Sequence, residues 1–336
     1  MSVFLKNTVA PSMIVMGTVS FGSTISKADT FALLDVFAET GGNFIDTAHV
    51  YSAWEPEGEG ASERTIGEWL RVHGARGSVV LATKGGHPPL HRMDRPRCTY
   101  EEMNQDLNES LERLGVDCVD LYWAHRDDPR MSAGEIIDTM ARFVQDGRAR
   151  NIGASNWTKE RIIEANAWAA AQGLPTFVAN QPRWALADRV GEMPPPDNTL
   201  DADVATQKWH EDTGMAMTPF TSQAKGFFGE KNVAWARNGF QGPIPRGDRY
   251  DAPVNHQRLL RAIRMAEQKG CTAHQIALAY LMNQRFPVHP IIGTRNPDRI
   301  REAMAASGIR LSEMECDWLR GGDTYSFSEK TWAQKR

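Results

Sequence analysis

The chain has 336 residues, of which 41% are hydrophobic and 24% charged, so it can bury a sizeable core and is not a disordered chain. A formal net charge of −4 argues against nucleic acid or a membrane surface as a partner. Four scattered cysteines, no apolar run long enough to cross a bilayer and no signal-peptide core predict a reduced cytoplasmic protein without a metal site.

Short apolar strands alternate with amphipathic helices along the chain, after an N-terminal segment that we expect to form a hairpin. The eight predicted strands cover residues 13–18, 43–48, 78–83, 118–124, 149–154, 176–181, 216–220 and 288–292. The predicted helices cover residues 27–39, 61–72, 100–114, 133–145, 159–171, 204–210, 257–268, 273–283, 298–306 and 312–319. Long loops follow the sixth and the seventh strand.

This alternation predicts an α/β protein with one parallel sheet. The strands are apolar on both faces, which is typical of a parallel sheet covered by helices. Eight such units predict a single (β/α)8 TIM barrel over residues 1–336, with long loops after strands 6 and 7 and extra helices. The competing doubly wound sheet requires Gly-x-Gly-x-x-Gly after its first strand, and residues 16–22 read Met-Gly-Thr-Val-Ser-Phe-Gly instead.

Polar side chains stand at the C-terminal ends of consecutive predicted strands. Asp46 and Tyr51 follow the second strand, Lys84 the third and His125 the fourth. Each has a common structural explanation by itself, but a barrel brings these strand ends to one rim. A lysine about 4 Å from a phenolate attracts it by roughly 4 kcal/mol at an effective dielectric of about 20. We therefore expect Lys84 to lower the pKa of Tyr51, ordinarily about 10, by about one to three units.

The remaining members of this set suggest one reaction. Asp46 would keep Lys84 charged, and His125 could hydrogen-bond a substrate oxygen as it becomes an alkoxide. A set that protonates an oxyanion, without a nucleophile or a metal, suits reduction of a carbonyl by hydride from a cofactor.

Four motifs resemble the aldo-keto reductase family: Asp46-Thr-Ala-x-x-Tyr51, Lys84-Gly-Gly, Tyr122-x-x-His125 and Ile152-Gly-Ala-Ser155-Asn156. The likeness runs in order over residues 17–303 and is specific only when the motifs are taken jointly. It implies an eight-stranded barrel that uses NADP(H), with NAD(H) as the alternative, without a Rossmann domain. It also implies an alcohol dehydrogenase or carbonyl reductase of the EC 1.1.1 type. Tyr51 would donate the proton, Lys84 and Asp46 would set its acidity, and His125 would orient the carbonyl.

The resemblance implies a cofactor site along most of the chain. Its residues are Gly17, Thr18, Asp46, Ser155, Asn156, Gln181, Met217, Pro219, Phe220, Ser222, Lys225, Gly226, Gly293, Thr294, Arg295, Arg299 and Glu302. Within this set Ser155, Asn156 and Gln181 would hold the nicotinamide carboxamide, and residues 219–227 would wrap the pyrophosphate. Two arginines at a helix start favour the extra phosphate of NADP(H). Glu302 would face the adenine.

Three positions depart from the family pattern, one of which is Val19, in place of a frequent aromatic residue after Gly-Thr. Met217 stands where an aromatic residue usually packs on the nicotinamide, with Trp184 as another candidate for that wall. Ala303 replaces a common asparagine and removes one adenine contact.

The sequence says least about the substrate, which is expected to be a small carbonyl compound or alcohol. An aromatic wall is expected from Phe21, Trp54, Trp123, Trp157 and Trp184, although the same tryptophans also suit a core. The loop over residues 189–203 is a candidate lid or homo-oligomer contact. Two other functions stay open. One is an aldolase-like barrel with a Schiff base on Lys84, and the other is a regulatory or binding protein with a retained nicotinamide site and slow chemistry.

Overall fold

The computed structural model describes residues 4–191 and 199–322, and a sheet of eight parallel strands forms its centre. The strands are β1 (Val15–Gly17), β2 (Phe44–Asp46), β3 (Val80–Gly85), β4 (Leu121–Ala124), β5 (Ile152–Ser155), β6 (Phe177–Gln181), β7 (Ala216–Met217) and β8 (Ile291–Ile292). They pair in chain order from β1 to β7, and β8 pairs with β1. Met217 N donates to Pro287 O (2.9 Å) and His289 N to Met217 O (2.8 Å), which joins the two edges. The predicted (β/α)8 barrel is confirmed.

Helices surround the strands, and most begin at a side-chain cap. The α-helices of the described residues are α1 (Lys27–Glu39), α2 (Ala61–His73), α3 (Tyr100–Leu114), α4 (Ala133–Gln145), α5 (Lys159–Ala171), α6 (Val204–Thr213), α7 (Glu230–Arg237), α8 (Pro253–Lys269), α9 (Ala273–Met282), α10 (Pro297–Ala305) and α11 (Glu313–Arg320). The start of helix α4 is stabilised by a capping box, in which the side chains of Ser132 and Glu135 each accept from the other residue's backbone N–H. The predicted long loops after β6 and β7 are present.

The N-terminal hairpin prediction is wrong for the described residues, since 4–12 contain no strand. Leu5 is instead buried against the first residues of the strands, among them Val15, Phe44 and Val80. Asn151 fixes this segment, because it accepts from Lys6 N (3.0 Å) and donates to Lys6 O (3.0 Å). The segment therefore covers the N-terminal end of the barrel and leaves the C-terminal end for the site.

The long loop after β6 is only partly described. Residues 192–198, which belong to the candidate lid or oligomer contact at 189–203, lie outside the described residues. The prediction of a single domain over 1–336 also extends beyond them and stays a prediction. In the described ranges 4–191 and 199–322, each helix is too short or too polar to cross a membrane.

Candidate active site

Lys84 joins Asp46 and Tyr51 at the C-terminal end of the barrel. Its Nζ donates to Asp46 Oδ2 (2.5 Å), to the Thr47 carbonyl (2.7 Å) and to the Tyr51 hydroxyl (3.0 Å). Strands β2 and β3 are neighbours, and the loop after β2 turns back so that the Tyr51 ring comes within 4.7 Å of the same ammonium. Lys84 is only 1% exposed, whereas Tyr51 faces a cleft.

Asp46 is surrounded by donors. Its Oδ1 accepts from Trp123 Nε1 (3.0 Å) and from Gln181 Nε2 (3.1 Å), while Oδ2 accepts from Lys84. Burial raises the pKa of the Asp46 carboxyl, and Lys84, Gln181 and Trp123 oppose that rise. Because a carboxylate that meets only donors acts purely as an acceptor, this geometry calls for ionised Asp46. Thr18 completes the surroundings by donating to the Asp46 carbonyl (3.0 Å).

Lys84 stays charged as the sequence predicts, whereas the pKa of Tyr51 shifts in the direction opposite to the prediction. Burial by itself lowers the pKa of Lys84, but the charges of Asp46 and Tyr51 outweigh it and raise that pKa above its ordinary value. Burial of the Tyr51 hydroxyl raises its pKa, and the Lys84 charge only partly opposes this. The expected net lowering of the Tyr51 pKa is therefore wrong in this state, since desolvation exceeds the Coulombic attraction. Tyr51 is held as a protonated phenol.

His125 lies edge-on to Tyr51, with ring centroids 6.0 Å apart. Burial, followed by the neighbouring His87 and Arg126, lowers the pKa of His125 well below its ordinary value, so the ring is neutral. Among the described residues, no hydrogen-bond partner meets its buried Nδ1. An unpaired N–H costs more than an unpaired lone pair, so the tautomer with the proton on Nε2 is favoured.

A cleft of about 850 Å³ opens above Tyr51 and His125. Its lining includes the predicted residues Gly17, Phe21, Tyr51, His125, Ser155, Asn156, Gln181, Phe220, Ser222, Lys225, Gly226, Gly293, Thr294, Arg295 and Arg299. The described residues of this lining contain six lysines or arginines and a single carboxylate, that of Glu230. The cleft therefore has the size for a large ligand and the charge for an anionic one.

The loop after β7 forms one wall of the cleft in an unusual backbone conformation. Thr221, Ala224 and Lys225 have φ of 55°, 46° and 52°, a left-handed region that residues with a Cβ seldom adopt. Gly226 continues the run at φ 84°. Ser222 Oγ anchors the loop by donating to the Ile291 carbonyl (2.5 Å). Three backbone N–H groups of this loop, those of Ala224, Gly226 and Phe227, donate to carbonyls within the loop and hold its shape.

Helix α10 begins at the opposite wall. Asn296 caps it by accepting from Asp298 N (2.8 Å), and Arg295 donates to Thr24 Oγ1 (2.8 Å). Arg299 is bound to Glu302 (2.6 Å) on its own helix and to Glu230 (3.1 Å) across the cleft. The neighbouring His274, with Thr272 and Arg299, lowers the pKa of Glu302 to about 2.

Several predicted site residues lie away from the cleft lining. Thr18, Asp46 and Lys84 lie beneath it, and Pro219 and Glu302 do not line it. Met217 is fully buried in the core on the α8–α9 side. Trp184 packs there against Tyr280 and Phe286, and neither Met217 nor Trp184 lines the cleft.

The predicted tryptophan wall also does not match the observed positions. Trp123 fills the barrel interior, and Trp157 packs edge-on against Phe177. Trp54 is 49% exposed in the loop that carries Tyr51, and Phe21 alone among the five aromatic candidates lines the cleft. Indoles suit a core as well as a binding site, and the sequence pattern does not separate the two.

Sequence reasoning missed several residues of the cleft, notably Arg126, Arg246 and His274. The Nε2 atoms of Gln223 and His274 are 2.9 Å apart. This contact joins a loop to helix α9, and no local sequence pattern predicts it. The sequence did contain a signal for Arg126, because it directly follows His125 at the end of a strand, where the active sites of barrels lie.

The family profile described as "Aldo/keto reductase family" matches residues 13–321. A norsolorinic acid reductase of Emericella nidulans is 29% identical over 321 residues, which are 90% of this chain and 76% of the relative. Norsolorinic acid reductase B of Aspergillus parasiticus is 30% identical over 339 residues, which cover 94% of this chain and 81% of the relative. Protein tas of Escherichia coli is 27% identical over 324 residues, with 90% of this chain and 91% of that protein covered.

Solved structures resemble the fold. A thermostable aldo-keto reductase crystallised with the inhibitor epalrestat superposes with a TM-score of 0.68 at 21% identity, covering 94% of this chain and 97% of that one. An aldo/keto reductase from Klebsiella pneumoniae in complex with NADP and acetate gives a TM-score of 0.67 at 22% identity, covering 94% and 93%. With the family profile spanning residues 13–321, the chain belongs to the aldo/keto reductase family.

Proposed function

We propose that the chain is an NADP(H)-dependent reductase that converts an aldehyde or ketone into the alcohol and can run in reverse. The contact between Lys84 Nζ and the Tyr51 hydroxyl (3.0 Å), with Asp46 behind it, carries this proposal. A phenol that contacts a buried ammonium and also faces a cleft is positioned to act as a general acid. The relatives named norsolorinic acid reductases support the assignment as a reductase, and the substrate of this chain is a separate question.

Tyr51 gives its proton to the substrate oxygen. Because burial raises its pKa, the phenol is protonated at neutral pH and available as an acid. The Lys84 ammonium stabilises the phenolate that remains after transfer. Neutral His125 donates from Nε2 to the same oxygen and fixes the direction of the carbonyl. Asp46 holds Lys84 in place and keeps it charged.

A dinucleotide phosphate suits the cleft, because the described lining has an excess of cations, among them Lys225 in the loop after β7. Ser155, Asn156 and Gln181 would hold the nicotinamide carboxamide, and Ser222, Lys225 and Gly226 the pyrophosphate. The other members of the set that line the cleft are Gly17, Phe220, Gly293, Thr294, Arg295 and Arg299, whereas Thr18, Asp46, Met217, Pro219 and Glu302 lie outside its lining. When bound, the nicotinamide supplies the hydride. NADP(H) is proposed over NAD(H) because Arg295 lies at the N-terminal end of α10 on the cleft wall.

A Schiff base on Lys84 is the less favoured chemistry. It requires a neutral, unencumbered amine, whereas the Nζ of Lys84 donates to three oxygens and its pKa is raised. A regulatory protein with slow chemistry keeps the same geometry, and only turnover separates it from an enzyme.

The test is consumption of NADPH across a panel of aldehydes and ketones by the wild-type chain and by Tyr51→Phe. We expect wild-type turnover and a loss of about a hundredfold or more in the variant, the scale of lost general acid catalysis. NADPH binding, followed by fluorescence quenching, should change little. Tyr100→Phe is the matched control, because Tyr100 stacks on Phe143 on the outside of the barrel. Full turnover by Tyr51→Phe removes Tyr51 as the acid, and an inactive wild type favours the regulatory function.

A further inference from the structure

A row of charged side chains on helix α3 contacts the loops after β2 and β3. Asp106, Glu109 and Arg113 follow one another at spacings of three and four residues, so they lie on one face of the helix. Asp106 is buried, and the other two are partly buried. Charged residues on a solvent-facing helix surface are mostly exposed, so this row faces the barrel.

Asp106 attaches the end of β3 to the helix. Its Oδ2 accepts from the backbone N–H of Gly86 (2.9 Å), two residues after Lys84. Arg97 fixes the same carboxylate through bonds of 2.7 and 3.2 Å. The position of Lys84 is therefore tied to α3.

Glu109 attaches the loop that carries Tyr51. His49 lies two residues before Tyr51, and its Nε2 is 2.7 Å from Glu109 Oε2. Since a carboxylate only accepts hydrogen bonds, the imidazole donates from Nε2. Burial raises the pKa of Glu109, but its bonds to His49 and Gln105 outweigh this and lower that pKa. Arg113 reinforces the contact by donating to Glu109 Oε2 (3.0 Å) and to the His49 carbonyl (3.4 Å).

The two loops also meet each other at the catalytic contact. His49 N donates to the Lys84 carbonyl (3.0 Å), and the Lys84 ammonium donates to the Tyr51 hydroxyl (3.0 Å). Tyr51 belongs to a loop, and loops move more than the strands that they follow. A misplacement of about 1 Å in a reacting group costs a rate factor on the order of a hundred. Helix α3 gives both loops a common support, and His49 is the side chain through which it reaches the Tyr51 loop.

We propose that His49 is a positioning residue for the proton donor, because its bond to Glu109 holds the Tyr51 loop on α3 and keeps the Tyr51 hydroxyl aligned with Lys84. This rests on the proposed reductase function. His49 does not line the cleft, so it acts through Tyr51 and not by contact with substrate or cofactor. Its loss should therefore slow the chemical step and leave binding intact.

The test compares His49→Leu, which removes the N–H donor, with His49→Gln, whose amide N–H replaces that of Nε2. The substrate is the aldehyde that the wild type reduces fastest, with saturating NADPH. We expect kcat to fall by about tenfold to a hundredfold in His49→Leu. KM for the aldehyde and Kd for NADPH, from fluorescence quenching, should stay near their wild-type values. His49→Gln should recover most of kcat, which a side chain that only fills space would not do.

Glu109→Leu removes the same bond from the helix, and its combination with His49→Leu should be no slower than either single variant. Gln105→Ala is the matched control, because exposed Gln105 donates to the other oxygen of Glu109 (2.8 Å) and should leave kcat unchanged. Melting curves establish that each variant is folded.

Wild-type kcat in His49→Leu, or no recovery in His49→Gln, overturns the inference and leaves the reductase standing. The same holds if His49→Leu and Glu109→Leu both fail to fold, since the bond then serves stability alone. A wild type that reduces no carbonyl compound overturns the reductase function and this inference together.

Discussion

Lys84 remains charged although it is almost completely buried, because three oxygen atoms surround its ammonium. A buried charge without partners would lose its proton or destabilise the fold. Here the Asp46 carboxylate, the Thr47 carbonyl and the Tyr51 hydroxyl replace water. Two opposing effects therefore act on the pKa of Tyr51: burial favours the phenol and raises it, and the Lys84 ammonium favours the phenolate and lowers it.

These opposing effects predict that the rate of alcohol oxidation depends on pH, because in that direction Tyr51 must be a phenolate that accepts a proton. Wild-type kcat/KM for an alcohol should rise with pH toward the raised pKa of Tyr51. A nearby cation lowers a phenol pKa, so its removal raises it. Lys84→Met should therefore move the rise upward by about one unit or more.

The measurement is kcat/KM for alcohol oxidation between about pH 6 and pH 11, with melting curves to verify that the variant is folded. Lys27→Met serves as the control, because Lys27 is 59% exposed and pairs with Glu68. Superimposable profiles for wild type and Lys84→Met would refute the coupling.

Helix α10 and the loop after β7 form the two walls of the phosphate end. The ion pair of Arg299 with Glu230 connects them, and Glu302 binds the same guanidinium. Two carboxylates thus compensate Arg299, whereas Arg295 donates to the neutral Thr24 hydroxyl. Arg295 is consequently the better candidate for reading an additional phosphate at this helix end.

We predict that Arg295→Ala weakens NADPH binding by about ten- to a hundredfold, because charge-assisted bonds to the ribose phosphate are lost, and leaves NADH little changed. Arg299→Ala should weaken NADPH less. Titration of both cofactors by fluorescence quenching measures this. Arg301→Ala on the same helix is the control, since Arg301 is 50% exposed and faces Glu39. Equal weakening of both cofactors would mean that Arg295 contacts a part that they share.

At the scale of the whole molecule, the described residues 4–191 and 199–322 close the N-terminal end of the barrel and leave a cleft at its C-terminal end. Leu5 closes the N-terminal end from a segment that precedes the first strand, and it is 2% exposed. The same buried cluster contains the first residues of β1, β2 and β3, namely Val15, Phe44 and Val80, so the segment is part of the core.

Leu5→Ala should lower the free energy of unfolding by about 2–5 kcal/mol, as for other buried leucines, and leave KM unchanged. Urea unfolding followed by tryptophan fluorescence, together with steady-state kinetics, measures both. Val9→Ala is the control in the same segment, because Val9 is 37% exposed and should change stability by less than about 0.5 kcal/mol. Equal stability of the two variants would show that the segment does not close the barrel.

Local patterns predicted the framework well. Helices α1, α3, α4 and α5 have the predicted bounds, because each combines an apolar stripe with a capping residue at its start. The strands are mostly shorter than predicted, since the apolar runs extend beyond the paired residues at one end or the other; β4 begins at Leu121 and β7 ends at Met217. Helix α7 was missed inside a loop rich in glycine and proline, where a short helix leaves little periodicity.

The site residues likewise fall into those that local sequence patterns predicted and those that they did not. Strand ends located Asp46, Lys84 and His125, because the barrel itself brings those positions together. Contacts between distant parts of the chain were not readable: Gln181 with Asp46, Glu230 with Arg299, and the burial of Trp184. The direction of the Tyr51 pKa also required the three-dimensional burial of its hydroxyl.

The carboxylate of Asp46 links four strands, since Asp46 ends β2 while Lys84, Trp123 and Gln181 belong to β3, β4 and β6. A well-packed apolar replacement of a buried ion pair is often neutral or stabilising. Selection in the laboratory for heat resistance alone would therefore be free to discard Asp46 and Lys84 together. Selection for turnover would retain them and would have to gain stability elsewhere, at positions such as the N-terminal segment.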